Sequence, residues 1–319
     1  MKMCDLKNGF YAIVTLLLVT VFFVSCDKND DDNGNINNGN ATTTFKVTDA
    51  AIDDASVTGA FVTISDIKLD GQSVQGFTKT TIDINAYRNG ATRTIGTFNL
   101  DDRTYSSITF VLDYDTDANG ASPGSYVVTT GGVKHKLQSD ANAISVSKSF
   151  SLAANASNSI VADFDLRKMI IYTAGADHYD FATSAELANS IRVVSENGTG
   201  TISGTLTNNV AGSTKVVAYA YKKGTFNRTT EMQGQGSSNV QFKNAVTSAV
   251  VNGSGAYQLN FLESGNYEVH FARYTDTDAN GELELSGTLV VTSGLDILDL
   301  LVSSNTTLTV NATATAVLP

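Results

Sequence analysis

From Thr43 onward, apolar and polar residues alternate with a period of two. Phe45 and Val47 start the pattern, and Ala60-Phe-Val-Thr-Ile-Ser-Asp-Ile-Lys-Leu69 extends it. Such alternation marks strands buried on one face. Asp70-Gly71 follows as a tight-turn dipeptide. The same reading predicts strands over 80–85, 94–99, 106–114, 126–130, 145–152 and 159–164, with one short helical turn within 181–190. A second run of strands is predicted over 201–206, 214–221, 240–251, 256–261, 267–274, 282–291 and 306–316. The polar, glycine-rich stretch Glu196-Asn-Gly-Thr-Gly200 separates the two runs. No helical period of useful length interrupts either. Short strands at this spacing predict an all-β chain of two Ig-like or transthyretin-like β-sandwich domains, over 43–198 and 199–319.

The beginning of the chain has a different pattern. Lys2 and Lys7 precede an almost wholly apolar run from Phe10 to Val24. Its length of about fifteen residues suits a signal peptide and falls short of the ~20 needed to span a bilayer as a helix. Acidic residues follow it, where a stop-transfer segment would carry Lys and Arg. The run closes on Ser25-Cys26, which resembles the lipobox of bacterial lipoproteins, with Phe23 in place of the family's preferred Leu. That resemblance implies cleavage after residue 25 and acylation (palmitate among the chains) of Cys26, and several acyl chains make a stable membrane anchor. Asp27 to Asn40 has one apolar residue in fourteen. It is read, from the lipidated Cys26 to residue 42, as an acidic flexible linker. An acidic patch at this place resembles the surface-export signal of Bacteroidetes lipoproteins. The expected location is therefore the outer membrane, lipid-anchored and facing the exterior, with the periplasmic face as the alternative.

Composition narrows the partners. Removing two lysines and one aspartate with residues 1–25 takes 21 basic and 32 acidic residues to 19 and 31, a net charge of −12. A chain this acidic argues against nucleic acid as a partner. The only cysteines are Cys4, lost with the signal, and the lipidated Cys26. The exported protein is thus expected to have no disulfide and to depend on packing. Thr, Ser, Val, Asn and Gly fit strands joined by many turns.

Two resemblances cover most of the remainder. Phe45-Lys-Val-Thr-Asp-Ala50, Ala60 to Ile67, Tyr105 to Leu112, Ile160-Val-Ala-Asp-Phe-Asp165 and Ile191-Arg-Val-Val194 together resemble the bacterial lipoprotein module called domain of unknown function 4382. Ala51 stands where that family has proline. Gly200-Thr-Ile-Ser-Gly-Thr-Leu206, Gly255-Ala-Tyr257 and Gly265-Asn-Tyr267 resemble the carboxypeptidase regulatory-like module, a transthyretin-type sandwich without peptidase activity. Each Gly-x-Tyr unit needs glycine where the chain reverses and tyrosine where it packs.

One motif carries metal chemistry. Asp115-Thr-Asp-Ala-Asn-Gly120 recurs unchanged as Asp276-Thr-Asp-Ala-Asn-Gly281. Alternate oxygen donors before a sharp glycine turn suit calcium, which takes six to eight oxygens at ~2.3–2.6 Å. Candidate ligands are Asp115, Asp117 and Asn119 in the first copy and Asp276, Asp278, Asn280 and Glu282 in the second. Tyr126 and Gly287 replace the bidentate Glu of an EF-hand. The competing reading is a hairpin turn, for which Asp and Asn-Gly are equally suited. His135, His178 and His270 show no metal-ligand spacing, and Asp177-His-Tyr-Asp180 is read as a solvated loop. No nucleophile-elbow, zincin or phosphate-loop motif is present. The expected function is a non-catalytic envelope lipoprotein that binds a glycan or a protein, with no catalytic residues. The alternative is a pilus subunit or adhesin assembled by strand exchange, for which Arg88, Arg93 and Arg103, the first arginines, lie too far into the first domain. An enzyme is a third, weaker reading.

Overall fold

The computed structural model describes residues 39–50, 56–173, 178–208, 215–277 and 283–319. The signal segment, Cys26, the linker up to residue 38, Asp177, Asp278, Asn280 and Glu282 lie outside the described residues.

The first run of strands comprises β1 (Asn40–Ala50), β2 (Val57–Leu69), β3 (Gln72–Ser73), β4 (Thr80–Asp83), β5 (Arg93–Asp101), β6 (Thr104–Leu112) and β7 (Tyr126–Thr129). β8 (Lys134–Lys136), β9 (Ala143–Ser151) and β10 (Asn158–Asp165) follow. A helical turn α1 (Leu166–Met169), the small hairpin β11 (Ile170–Thr173) and β12 (His178–Phe181), helix α2 (Ser184–Ser190) and β13 (Ile191–Ser195) complete it. One sheet has the order β13-β10-β1-β5, the other β8-β7-β2-β6-β9 with β3 and β4 also on β2. Phe45, Ile64, Ile67, Phe110 and Phe164 fill the single core that both sheets contribute to. The alternation in β2 changes phase: Ala60, Val62 and Ile64 are buried, then Ile67 and Leu69. A bulge between Ile64 and Asp66 accounts for it, because one inserted residue restores the apolar face to the core. Asp70 and Gly71 both have positive φ, as a two-residue hairpin turn of this hand requires.

The second run comprises β14 (Thr199–Asn208), β15 (Lys215–Lys222), a helical turn α3 (Arg228–Glu231), β16 (Thr247–Val250), β17 (Ala256–Glu263), β18 (Gly265–Thr275) and β19 (Glu284–Ser293). β20 (Leu300–Val302), β21 (Thr307–Thr309) and β22 (Ala312–Leu318) end the chain's described part. Their order is β16-β15-β18-β19-β22-β14-β17, with β20 on β18 and β21 on β14. Sheets of the first run use no strand of the second. Asn38–Pro319 nonetheless forms one compact unit. The fold class read from the alternation, all-β sandwich architecture, is the one observed.

Two Gly-x-Tyr units behave as their chemistry demands. Tyr257 is buried and donates from its hydroxyl to the Val310 carbonyl at 2.7 Å. Tyr267 is fully buried and donates to the Glu263 carbonyl at 2.7 Å. The strand expected over 240–251 is only partly present: β16 begins at Thr247. Its apolar residues are buried another way. Residues 223–246 cross the outer face of β15, where the Phe242 ring stacks on Tyr219 at 4.3 Å. β15 is thereby buried on both faces, with Ala218 and Ala220 in the sandwich core and Tyr219 and Tyr221 under the excursion.

Candidate functional site at the seam of the two sandwiches

In the first aspartate loop each carboxylate has its own partner. Asp115 Oδ1 accepts from Lys136 Nζ at 2.7 Å. Asp117 Oδ1 accepts from the amides of Asn119 and Ala121, both at 2.8 Å. Asp113, just before the loop, accepts from Lys79 Nζ at 2.8 Å and from the amides of Asp115 and Thr116 at 2.9 Å. Burial alone would raise the Asp113 carboxyl, but Lys79 and the two amides hold it at about 2. Gly120 turns the chain at a φ of 83°. Lys136 and the loop amides thus take one oxygen each of Asp115 and Asp117, as a hairpin turn requires. In the second loop, Thr277 donates from its amide and hydroxyl to Glu284 Oε2, both at 2.8 Å. Of the four candidate ligands there, only Asp276 belongs to the described residues. Among the described residues no three His, Cys, Asp or Glu side chains converge as metal ligands.

Each histidine sits in a separate setting. His135 faces the Tyr179 ring at 5.1 Å, and His178 Nε2 lies 3.5 Å from Asp180 Oδ2. His270 stacks under Phe226 at 3.7 Å, and burial lowers its pKa against the pull of Glu268.

The densest chemistry lies where the two sandwiches meet, at residues that were not singled out as a site in the sequence. β10 ends Asp163-Phe-Asp165. Phe164 enters the core, edge-on to Phe110 at 5.3 Å. The two-residue period puts Asp163 and Asp165 together on the other face. Both are buried, as are Asp49 at the end of β1 and Arg167 in α1. Arg192 stands directly opposite Asp163 across the β13–β10 pair. Arg192 Nη2 reaches Asp163 Oδ2 at 2.7 Å and the Asn260 carbonyl at 3.3 Å, while Nη1 donates to the Phe261 carbonyl. Arg167 Nη2 lies 3.1 Å from Asp165 Oδ2 and 3.3 Å from the Phe242 carbonyl, and Nη1 donates to the Gln241 carbonyl. Lys168 Nζ bridges Asp165 Oδ2 at 3.0 Å and the Ala245 carbonyl at 2.8 Å.

Cations rooted on the first sandwich thus grip carbonyls of the second. Phe242 and Phe261 both have positive φ, at 51° and 56°. For bulky residues that conformation is strained by about 1–3 kcal/mol each, and the surrounding contacts must hold it. Their carbonyls are the ones that Arg167 and Arg192 take. Lys148–Glu263 at 2.7 Å and Glu186 Oε1, which accepts from the amide and hydroxyl of Ser238 at 3.2 Å, extend the seam.

The buried charges are unequally served. Burial would raise the Asp165 carboxyl, but Arg167 and Lys168 outweigh it and hold it below the usual range. The Asp49 carboxyl is pushed well above that range by burial and by its neighbours Asp163 and Asp165. A cleft of about 570 Å³ opens over this cluster. β9, α2 and β13 wall it on one side, and residues 238–246 on the other. Val146, Ile191, Val240 and Val246 give it an apolar lining; Asp165, Lys168, Glu186 and Lys243 give it charge. Its size and mixed lining are those of a small-ligand site between two packed units. Asp165 Oδ1 is buried and has no hydrogen-bond partner among the described residues.

Residues 40–182 match the family described as domain of unknown function (DUF4382). This corresponds to the first of the two resemblances read from the sequence. No curated protein gives a match. Among solved structures, the chain is similar to GBS52, the minor pilin of the gram-positive pathogen Streptococcus agalactiae, at 12% identity and a TM-score of 0.21, over 87% of this chain and 99% of that one. It is similar to BcpA, the major pilin subunit of Bacillus cereus, at 10% identity and a TM-score of 0.21, over 86% and 70%. It also overlaps the Bacillus anthracis TIE protein at 9% identity and a TM-score of 0.18, over 86% of this chain but only 34% of that protein's length. Overlaps this slight carry no argument about assembly.

Proposed function

We propose that this chain is a non-catalytic envelope lipoprotein, held in the outer membrane by acylated Cys26, whose two docked sandwiches form a binding module for a glycan or protein ligand at the seam cleft. The observation that carries the reading is the cleft itself, built from both sandwiches over an Asp165 oxygen that no protein group among the described residues satisfies. The apolar signal run and Ser25-Cys26 support the anchor, and the acidic linker supports outward display. The second sandwich, with its resemblance to the carboxypeptidase regulatory-like module, acts as the stabiliser that closes the cleft. Polymerisation through the first strand is the less favoured route. β1 lies between β10 and β5 with Phe45 and Val47 in the core, so its exchange would empty the core.

Two outcomes test this. With Cys26→Ser, the protein should leave the membrane fraction for the soluble one; a variant that still fractionates with membranes removes the anchor. On a glycan array, the lipid-free protein should bind, and Asn189→Trp, which fills the exposed cleft wall on α2, should abolish binding. An unchanged array signal would remove the cleft from the reading.

A further inference from the structure

One wall of the cleft is an open strand edge. β9 is the last strand of its sheet, with β6 its one strand partner among the described residues. In an antiparallel ladder, opposite residues alternate between hydrogen-bonded and non-bonded pairs. The phase is fixed at one end, where the Leu112 amide donates to the Asn142 carbonyl at 2.8 Å, next to the Val111–Ala143 pair. Ile144 and Val146 therefore bond to β6, and Ala143, Ser145 and Ser147 turn their amides and carbonyls to the outer edge. Ser107, opposite Ser147, fits this phase: its carbonyl accepts from the Asp70 amide at 3.2 Å, on the side of β2. Ser145 and Ser147 are exposed, and no backbone hydrogen bond among the described residues reaches their outward groups. An unpaired edge is a template for another strand unless proline, charge or a cover blunts it. β9 has no proline, and its one charge, Lys148, is held by Glu263 at 2.7 Å.

The edge and the cleft together define what fits. Ser147 lies in the cleft wall beside Val146, with Val240 and Val246 on the other side. Outward N–H and C=O groups on every second residue match the main chain of an extended polypeptide, and aliphatic walls suit its alternate side chains. Most charges lining the cleft are already paired. Lys168 holds Asp165, Arg192 holds Asp163, and Glu186 accepts from Ser238. Lys243 also lines the cleft, and it has no ion pair or hydrogen bond among the described residues. A carboxylate on the incoming chain would complete it. We propose that the β9 edge docks an extended segment of a partner protein by strand addition, with aliphatic side chains on the Val146 wall and an acidic side chain on Lys243. The proposal rests on the cleft being a ligand site and selects the protein class of ligand.

The test pans phage-displayed random dodecapeptides against the lipid-free protein. Enriched sequences should carry alternating aliphatic residues and at least one Asp or Glu. Ser147→Pro removes an outward amide and leaves the β6 bonds in place, because proline is tolerated where an edge N–H faces outward. It should weaken a selected peptide about tenfold or more. Lys243→Gln should weaken it about two- to fivefold. Hydrogen exchange gives a reading that needs no variant. Bound peptide should slow the amides of Ser145 and Ser147, while those of Ile144 and Val146 are already protected. Failure to enrich any peptide, equal affinity in Ser147→Pro, or no slowing at Ser145 and Ser147 each overturns strand addition by a partner. So does a dimer in sedimentation that Ser147→Pro dissolves, which would make the occupant a second copy. Glycan binding that Asn189→Trp abolishes, with no peptide enriched, overturns this inference and leaves the cleft as the ligand site. Binding of neither kind overturns both.

Discussion

Replacing Arg167 with alanine is expected to lower the stability of the protein by about 3–5 kcal/mol, the range for removing one partner of a buried ion pair. The Arg167 side chain is 2% exposed. It pairs with Asp165, donates to the carbonyls of Gln241 and Phe242, and lies over the Tyr219 ring at 5.3 Å. Alanine leaves Asp165 with Lys168 alone and frees two carbonyls of residues 223–246. Phe242 is then no longer held in its strained conformation. Arg167→Lys should recover only part of the loss, because an ammonium cannot present two donors as a fork. Denaturant unfolding measures the size of the effect, and limited proteolysis its place. The first new cuts should fall within residues 223–246. A loss below about 1 kcal/mol would mean that water already screens the seam as it screens surface ion pairs.

Gly204→Ala is expected to be about as damaging, at roughly 3 kcal/mol or more, for a steric reason. A Cβ at Gly204 would lie 1.8 Å from the Val310 carbonyl oxygen and 2.5 Å from its carbon. Here β14 passes from pairing with β21 to pairing with β22, both in parallel. The Val310 amide donates to the Ser203 carbonyl at 2.7 Å, and Asn311 Oδ1 accepts from the Thr205 amide at 3.0 Å. Val310 cannot retreat without breaking those bonds and the one from Tyr257. Gly253→Ala is the matched control. No atom lies within 4 Å of its added Cβ, so its effect should stay within about 0.5 kcal/mol. Thermal unfolding of the two variants side by side decides it. A Gly204→Ala protein as stable as the control would show that the approach of Val310 is not needed.

What could be read along the chain was local. The alternation around Phe45 and Val47, the Asp70-Gly71 turn and the helical turn within 181–190 each depend on residues within a few positions of one another. The apolar run over 240–246 shows where that reading stops. Its hydrophobicity was legible, but a strand and a covering segment bury Val240 and Phe242 equally well. The surface that took them is the face of β15 that carries Tyr219 and Tyr221. The aspartate loops were visible for the same local reason, and the structure gives the first of them separate partners for each carboxylate.

The sequence by itself determined that this protein is built of strands, where most of them run, and the short-range chemistry of its start: an apolar run, the cysteine that closes it and an acidic, polar stretch. Tertiary structure alone decided the seam. Asp49, Asp163, Arg192 and Ser248 are separated by tens of residues. They meet because β1 pairs in parallel with β10, β13 pairs with β10, and the second sandwich closes over that edge. Periodicity reports which face of an element is apolar, because that depends on neighbours in the chain. Which charged groups share a buried hole depends on sheet order, and sheet order is a property of the whole core.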